Sequence, residues 1–394
     1  MKPTRSIPLL VSLCLALFLL AGGLVLDVGA GQGSYRDVVV FSEVLSLVLE
    51  NYVDPLEPGE LLEGAYEGML GGLDDHGAYL TAEELAEWKQ GATEPCAHPG
   101  FTVLRAGRSL QIVDIEPGSP AAEAKLEVGD QIRKLEGSST RTLSLDQAWH
   151  RICGKSGTRL RLAVFHASER FRHEELELTR QRPAARAFNL TVNEDGIGVL
   201  SIRDFRRVDP DDLLLALDDL RSRAISTILL DLRNVVDLDP RAVAATAAAF
   251  ARGPLLVLKD RSGKSVEGVA SEGGRETWGG SLFALVNGAT AGSAEALASI
   301  VQRDLGGKVV GEPTYGLGSE PKLYELGDGT AVLLSAKIWE TAAGARWNGE
   351  GVKPDEPIRG TGDDLTARQA DQLRLALAYV ALQQTAPPAE RKAA

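Results

Sequence analysis

The clearest pattern of apolar and polar positions lies between Ser281 and Gly318. An apolar run from Leu282 to Val286 stops at the turn-forming pair Asn287-Gly288, and a second short apolar run, Val309-Val310, follows later. The residues between them recur at helical spacing: Ala294, Leu297, Ala298, Val301 and Leu305. The pattern predicts strand, turn, helix and strand. It places a helix N-terminus, with its unpaired N–H groups, past the carboxyl end of a strand, where α/β layers usually hold a site.

The rest of the chain shows different periodicities. Residues 35–91 carry apolar stripes at helical spacing, whereas residues 99–178 carry short apolar runs separated by turn signals. Farther on, a helix (209–223) precedes a buried strand (226–232), and residues 364–383 form a last amphipathic helix. We therefore predict a multidomain α/β protein with N-terminal helices, a β-rich domain and an α/β core of βα units.

The N-terminus differs from this globular picture. Lys2 and Arg5 precede an almost uninterrupted apolar run, residues 7–26, which is about long enough to cross a bilayer as a helix. Residues 28–30 offer a small-residue cleavage site, but the length of the run favours an uncleaved anchor over a signal peptide. We expect an exported, periplasmic or otherwise extracytoplasmic protein that is held at the membrane by this segment.

The net charge and the motif content limit which classes of partner and cofactor we expect. The 394 residues carry a formal net charge of −13, which argues against nucleic acid, because a nucleic-acid partner requires a basic face. No motif indicates a cofactor or a metal ion. We expect a soluble body behind the N-terminal segment.

Two blocks of the central stretch carry a resemblance. The first, NGATAGSAE, runs from Asn287 to Glu295, and the second, EPTYGLG, runs from Glu312 to Gly318. They resemble the patterns N-G-x-S-A-S-A-S-E and G-x-x-T-[FY]-G-K-G of the carboxy-terminal processing (tail-specific) proteases, which are S41 serine peptidases. The resemblance also covers LDDHGAYL, in which it gives His76 a structural role.

The resemblance implies where the catalytic groups would stand. Aligned without a gap, the family's nucleophilic serine falls on Gly292, its lysine base on Leu317 and the glutamine that orients the lysine on Pro321. None of these side chains can attack a carbonyl or hold a proton, and catalytic groups of this kind act together. The resemblance therefore implies a protease fold without its protease chemistry.

A second part of the machinery also differs. The family has D-L-R-x-N-P-G-G, whose glycines bring N–H groups to the oxyanion, whereas residues 231–234 are followed here by Val235-Val236-Asp237-Leu238. The competing hypothesis is a working peptidase in which Ser293 attacks with Lys308 or Lys322 as base. One step along a helix turns a side chain by about 100°, so we expect Ser293 to face away and to act as a helix cap.

The β-rich part resembles a PDZ domain through PGSPAAEAKLEVGDQI, residues 117–132. Such a domain binds an extended peptide as an added strand, while backbone N–H groups of a loop bind the terminal carboxylate. By resemblance the loop is residues 98–101, in which Pro99 lacks one N–H group. The alternative is a groove kept only as a packing surface. The candidate peptide-binding residues are His98, Gly100, Phe101, Thr102, Val103, Leu145, Trp149 and Ile152.

Cysteines and partners complete the predictions. With Cys14 in the apolar run, Cys96 and Cys153 remain as an even pair in an oxidising compartment, so we predict a disulfide, with two buried thiols as the alternative. Polypeptide C-termini or an active relative are the expected partners, and a purely structural domain stays open. The predicted divisions are 1–34 (signal or anchor), 35–95 (helices), 96–181 (PDZ-like), 188–360 (S41-like core) and 361–394 (helix and tail).

Overall fold

The computed structural model describes residues 32–90, 96–167, 172–184, 186–271 and 277–385. The chain divides into two compact units, one that ends at Ala65 and one that begins at Tyr66. The apolar run 7–26, predicted as signal or anchor, lies outside the described residues. Of the helices that are described, none is both long enough and apolar enough to pass through a bilayer.

Helices form where the sequence places apolar stripes or caps. Asp209, for example, begins a helix because its carboxylate accepts hydrogen bonds from the N–H groups of Asp211 and Asp212. In the unit that ends at Ala65, the first helix leaves apolar side chains such as Val38 and Leu47 exposed. The helices are Gln32–Asn51, Pro58–Gly71, Ala82–Gln90, Pro120–Glu123, Leu145–Ile152, Pro210–Ser222, Val243–Ala247, Ser293–Arg303 and Leu365–Thr385.

The strands are numbered in chain order. Those of the β-rich domain and its approach are β1 (Ala78–Leu80), β2 (Phe101–Ala106), β3 (Ser109–Ile115), β4 (Gln131–Leu135), β5 (Ser138–Ser139), β6 (Arg159–Phe165) and β7 (His173–Thr179). Those that follow are β8 (Phe188–Val192), β9 (Gly198–Ile202), β10 (Thr227–Asp231), β11 (Val236–Asp237), β12 (Gly253–Asp260), β13 (Ser265–Ser271), β14 (Ser281–Val286), β15 (Ala291–Gly292), β16 (Lys308–Gly311), β17 (Ser319–Glu325), β18 (Ala331–Thr341) and β19 (Glu356–Pro357).

The β-rich domain is an antiparallel sheet in the order β2-β3-β4-β6-β7, with β5 beside β4. The helix Leu145–Ile152, which we call the groove helix, begins at a capping box in which Ser144 and Gln147 bond to each other's backbone N–H groups. Ile112, Ile132 and other fully buried residues form the core under this helix. The predicted β-rich domain is confirmed.

The α/β core is a largely parallel sheet in the order β19-β16-β14-β10-β9-β8, in which only the pair β8 and β9 is antiparallel. The middle residues of β10 are fully buried, as expected for a strand that is covered on both faces. The helix Ser293–Arg303, which we call the core helix, joins β14 to β16 and is buried over most of its length. The predicted strand–turn–helix–strand unit is therefore confirmed.

A third, antiparallel sheet has the order β1-β18-β12-β13, and β17 pairs with β18 as an antiparallel hairpin. Strand β1 lies in a stretch whose pattern we assigned to helices, so that detail was wrong. All three of its residues are buried, and the strand pairs with Ala331–Leu333 far along the chain. A short strand buried on both faces has no alternation of apolar and polar residues, so its pattern does not identify it.

The approach to β1 holds the groove helix in place. The Leu145 N–H donates to the Asp75 carbonyl at 2.8 Å, and the Gln147 side chain donates to the Tyr79 carbonyl at 3.1 Å. His76 Nδ1 lies 2.6 Å from an Asp146 carboxylate oxygen. Burial lowers the pKa of His76, but the hydrogen bond and charge of Asp146 outweigh burial and raise it above its ordinary value. His76 thus has the structural role that the resemblance implied.

Candidate functional site

A cavity of about 930 Å³ opens between the groove helix and the α/β core. Its lining includes the predicted groove residues His98, Gly100 and Thr102, together with Asp237 and Pro321 from the core. The groove residues and Pro321, at the position of the family's glutamine, therefore line one space, which is large enough for several residues of an extended chain, whereas Gly292 and Leu317 are not among its lining residues.

The position of the family's serine is closed by backbone. Gly292 has φ +65° and ψ −114°, a conformation that is essentially restricted to glycine. A Cβ atom built on Gly292 would lie 1.7 Å from the carbonyl oxygen of Asp237. That distance is far inside van der Waals contact, so this backbone admits no side chain at position 292.

The closing carbonyl belongs to the segment that replaces the family's glycine turn. Strands β11 and β15 pair in parallel, with Val236 opposite Ala291 and Asp237 opposite Gly292. The Ala291 N–H also donates to the Val235 carbonyl at 2.9 Å. A hydrogen-bonded ladder thus stands where the family would present free N–H groups to an oxyanion.

An ion pair anchors this segment. Arg206 donates to both carboxylate oxygens of Asp237, at distances of 3.0 to 3.2 Å. Burial raises the pKa of Asp237 and the guanidinium of Arg206 opposes that rise. Arg206 was not predicted from the sequence, although the arginine pair Arg206-Arg207 a few residues after the buried strand β9 was a visible signal.

A buried carboxylate holds the two family blocks together. Glu295 accepts hydrogen bonds from the N–H groups of Gly292 at 2.9 Å, Gly316 at 2.6 Å and Leu317 at 2.7 Å. The hydroxyl of Thr314 donates to the same carboxylate. Burial raises the pKa of Glu295 to about 7 against these four hydrogen bonds, each of which lowers it. The matched residue Glu295 therefore acts as a structural clamp on positions 292 and 317.

The positions of the family's lysine and glutamine carry structural contacts. Leu317 is 4% exposed and packs in the apolar cluster that contains the core of the β-rich domain. The indole of Trp347 donates to the Leu317 carbonyl at 3.2 Å. Pro321 lines the cavity from β17, beside a bulge that follows Glu320. Neither position supplies a base.

The alternative nucleophile is also occupied. Ser293 is fully buried, and its hydroxyl donates to the Asp239 carbonyl at 2.7 Å. We expected Ser293 to cap the helix, and that prediction was wrong. Gly292 holds the cap position, and the Glu295 carboxylate accepts the Gly292 N–H group. The amines of Lys308 and Lys322 lie beside the aromatic rings of Tyr379 and Tyr324.

Six of the predicted groove residues line the cavity: His98, Gly100, Thr102, Val103, Leu145 and Trp149. Phe101 and Ile152 instead lie in the core beneath the groove and are 1% and 0% exposed. Strand β2 is an edge strand that pairs only with β3 within the sheet described, and Thr102 and Val103 of this strand line the cavity. The strand edge and apolar wall that peptide addition requires are both present.

In the loop before β2, the side chain of His98 accepts a backbone N–H group. His98 Nδ1 accepts the Gly100 N–H at 3.1 Å, and its ring lies 5.7 Å from that of Trp149. Burial lowers the pKa of His98, and the charge of Arg207 lowers it further against the opposing charges of Glu116 and Asp204. A neutral ring that accepts at Nδ1 carries its proton on Nε2.

A disulfide joins Cys96 to Cys153, with Cα atoms 5.0 Å apart. The bond ties the segment before the loop to the end of the groove helix. Across the ranges described above, no group of three or more His, Cys, Asp or Glu side chains is arranged to hold a metal ion.

Comparisons with known proteins agree with this architecture. The family model of Peptidase family S41 matches residues 196–358, and that of the PDZ domain matches residues 94–164. The chain is 26% identical to the carboxy-terminal-processing protease of Bartonella bacilliformis, over 82% of this chain and 75% of that relative. It is 28% identical to the carboxyl-terminal-processing protease of Synechocystis sp., over 82% of this chain and 78% of that relative.

Among solved structures, the photosystem II D1 C-terminal processing protease superposes with a TM-score of 0.59 at 22% sequence identity. The match covers 85% of this chain and 96% of that chain. At this identity the superposition supports the fold alone.

Proposed function

We propose that the chain, which matches the family models of Peptidase family S41 and of the PDZ domain, is a non-catalytic member of that peptidase family that binds polypeptide C-termini as a scaffold or regulator. The observation that carries the proposal is the Asp237 carbonyl oxygen, which occupies the space of any side chain at position 292. The substitution of serine by Gly292 is therefore matched by the surrounding backbone. A serine restored at this position would have no room without movement of β11.

The remaining parts of the mechanism support the same proposal. Leu317 and Pro321 provide no proton acceptor, and the β11–β15 ladder engages the backbone where the family has an oxyanion turn. The fallback nucleophile Ser293 is buried and bonded to a carbonyl. Loss of several groups that act as a unit removes most of the rate enhancement of a peptidase.

Binding rests on the groove. Edge strand β2 and the groove helix flank a cavity into which an extended peptide fits. The disulfide supports an oxidising compartment, and the apolar N-terminal run supports export with attachment to a membrane. A partner of this kind would be a polypeptide end exposed outside the cytoplasm, or an active relative.

The test of the non-catalytic proposal uses the full chain. We expect no labelling by a fluorophosphonate probe and no cleavage of an unstructured protein that ends in an apolar residue. The control is Ser293→Ala, which removes the only alternative nucleophile that we considered. Labelling or cleavage that disappears in Ser293→Ala would establish the competing hypothesis of an active serine endopeptidase.

A further inference from the structure

We propose that Arg182 and Arg186, rather than the N–H groups of the loop before β2, bind the carboxylate of the polypeptide in the groove. This inference rests on the proposed function and names the chemistry by which that function selects its partner. The class of ligand is a polypeptide segment that carries a carboxylate at or next to its C-terminus.

The loop has little left to offer an anion. The His98 N–H already donates to the Gln181 carbonyl at 3.1 Å, and Pro99 has no N–H group. The Gly100 N–H donates to His98 Nδ1 at 3.1 Å. Three consecutive residues of the predicted carboxylate loop therefore have no free N–H group, so a bound carboxylate requires another source of positive charge.

Most arginines around the cavity are already paired. Arg203 lies 3.6 Å from Asp114, Arg206 lies 3.0 Å from Asp237, and Arg241 lies 2.6 Å from Glu320. Arg241 also pairs with Asp239, Arg207 lies 3.9 Å from Asp204, and Asp146 is taken by His76. The last carboxylate in the lining, Glu116, is also engaged.

Arg182 and Arg186 are the exception. Both are exposed and line the cavity, and neither side chain has an ion pair or a hydrogen bond with any residue that the structure describes. Among the arginines that line the cavity, these two are therefore the ones without a carboxylate partner in the described part of the chain. A guanidinium group binds a carboxylate with two parallel hydrogen bonds, which a single loop amide cannot do.

Their place in the chain brings this charge to the correct end of the groove. Gln181 and His98 form an antiparallel bridge, so the next residue, Arg182, follows a position paired with the loop at which the C-terminus of a PDZ-type ligand binds. Arg186 precedes β8 and also lines the cavity. The geometry is that of a carboxylate site built from side chains beside a loop that lacks free amides.

The experiment titrates the full chain with fluorescent peptides that end in an apolar residue. Three forms are compared: free acid, C-terminal amide, and amide with a glutamate next to the end. The variants are Arg182→Gln, Arg186→Gln and the double variant. The control is Arg159→Gln, an exposed arginine of the neighbouring β-rich domain that pairs with Glu177 and does not line the cavity.

We expect the double variant to weaken free-acid binding by at least about tenfold, to leave the plain amide unchanged, and to leave its thermal unfolding unchanged. The control should bind like the unmodified chain, and Arg182→Lys with Arg186→Lys should recover part of the affinity. A tight glutamate amide would assign the site to side-chain carboxylates, and a tight free acid alone would assign it to the terminal carboxylate.

Two outcomes would overturn parts of this account. If the unmodified chain prefers the free acid and the double variant does so equally, the arginine site is wrong and the proposed function stands. If the unmodified chain binds none of the peptides, both are wrong.

Discussion

The core side and the groove side of the cavity differ in how their backbone groups are engaged. On the core side, position 292 is closed by the Asp237 carbonyl, and Glu295 takes up the N–H groups of positions 292, 316 and 317. On the groove side, β2 keeps an open edge, and Thr102, Leu145 and Trp149 face the cavity. The backbone N–H groups at these core positions are thus bonded to one carboxylate, whereas β2 forms the edge of its sheet and pairs there only with β3.

The difference shows how chemistry and binding can separate in one fold. Catalysis depends on a few groups within hydrogen-bond reach, and in our proposal the local ladder between β11 and β15 takes the place of one of them. Strand addition depends mainly on backbone and on an apolar wall, so it tolerates many substitutions. If position 292 is closed by the surrounding backbone, substitutions on the core side should cost more stability than matched substitutions elsewhere.

The largest effect is expected at Gly292. In Gly292→Ala the new methyl group would meet the Asp237 carbonyl, and φ +65° adds strain, so we expect a loss of about 3 to 5 kcal/mol in unfolding free energy. Gly306→Ala is the matched control, because it has the same φ of +65° and open space around the Cβ position. It should lose only about 1 to 2 kcal/mol. Equal losses by denaturant titration would mean that the site is not closed.

On the groove side, the disulfide is expected to contribute next. Replacing Cys96 and Cys153 together by alanine should lower the unfolding free energy by about 2 to 4 kcal/mol and weaken peptide binding, since the loop and the groove helix lose their covalent tie. Fluorophosphonate labelling should stay absent in this variant. Mass spectrometry of the unreduced, alkylated chain checks the premise, which fails if both cysteines carry the alkyl group.

The third prediction concerns Glu295, whose carboxylate accepts the N–H groups of positions 292, 316 and 317. Glu295→Gln turns one acceptor oxygen into an NH2 group that faces N–H donors, so we expect a loss of about 2 to 3 kcal/mol in unfolding free energy. Glu325→Gln, on an exposed pair with Lys89, is the control and should change stability by less than about 1 kcal/mol. A neutral Glu295→Gln result would show that the carboxylate is not what holds positions 292 and 317.

The smallest effect is a pH dependence at the groove helix. The folded pKa of His76 lies above its unfolded value, so the pair with Asp146 stabilises fully below that unfolded value, about 6.5, and loses this contribution as pH rises through the folded pKa. We expect a decrease of about 1 kcal/mol or less across this window, relative to Asp146→Asn. Parallel pH profiles of the two proteins would show that the pair of His76 and Asp146 does not contribute to the pH dependence of stability.

Local sequence patterns predicted the helices and strands better than they predicted the contacts between elements that are distant in sequence. The βα unit from β14 to β16 followed from apolar runs and helical spacing, because both signals are local. Strand β1 escaped notice, since its partner Leu333 lies far away in sequence. The approach of Asp237 to Gly292 depends on pairing between distant segments, and one sequence reveals only the glycine.

The site was predicted unevenly for the same reason. Motif positions located Gly292, Leu317 and the groove, but spacing did not show that Phe101 and Ile152 would turn into the core. Arg182 and Arg186 lie in a stretch that the pattern indicates only as a connection. Their proximity to the groove arises from the bridge between Gln181 and His98, which the sequence does not encode locally.

One measurement tests the central claim, binding without cleavage, most directly. The full chain is titrated into a fluorescent peptide with an apolar C-terminal residue, anisotropy is recorded, and the same samples are analysed by mass spectrometry after prolonged incubation. The account predicts saturable binding, on the order of micromolar or weaker, with the peptide intact at every concentration. Peptide fragments that increase with the concentration of the chain and vanish in Ser293→Ala would contradict it.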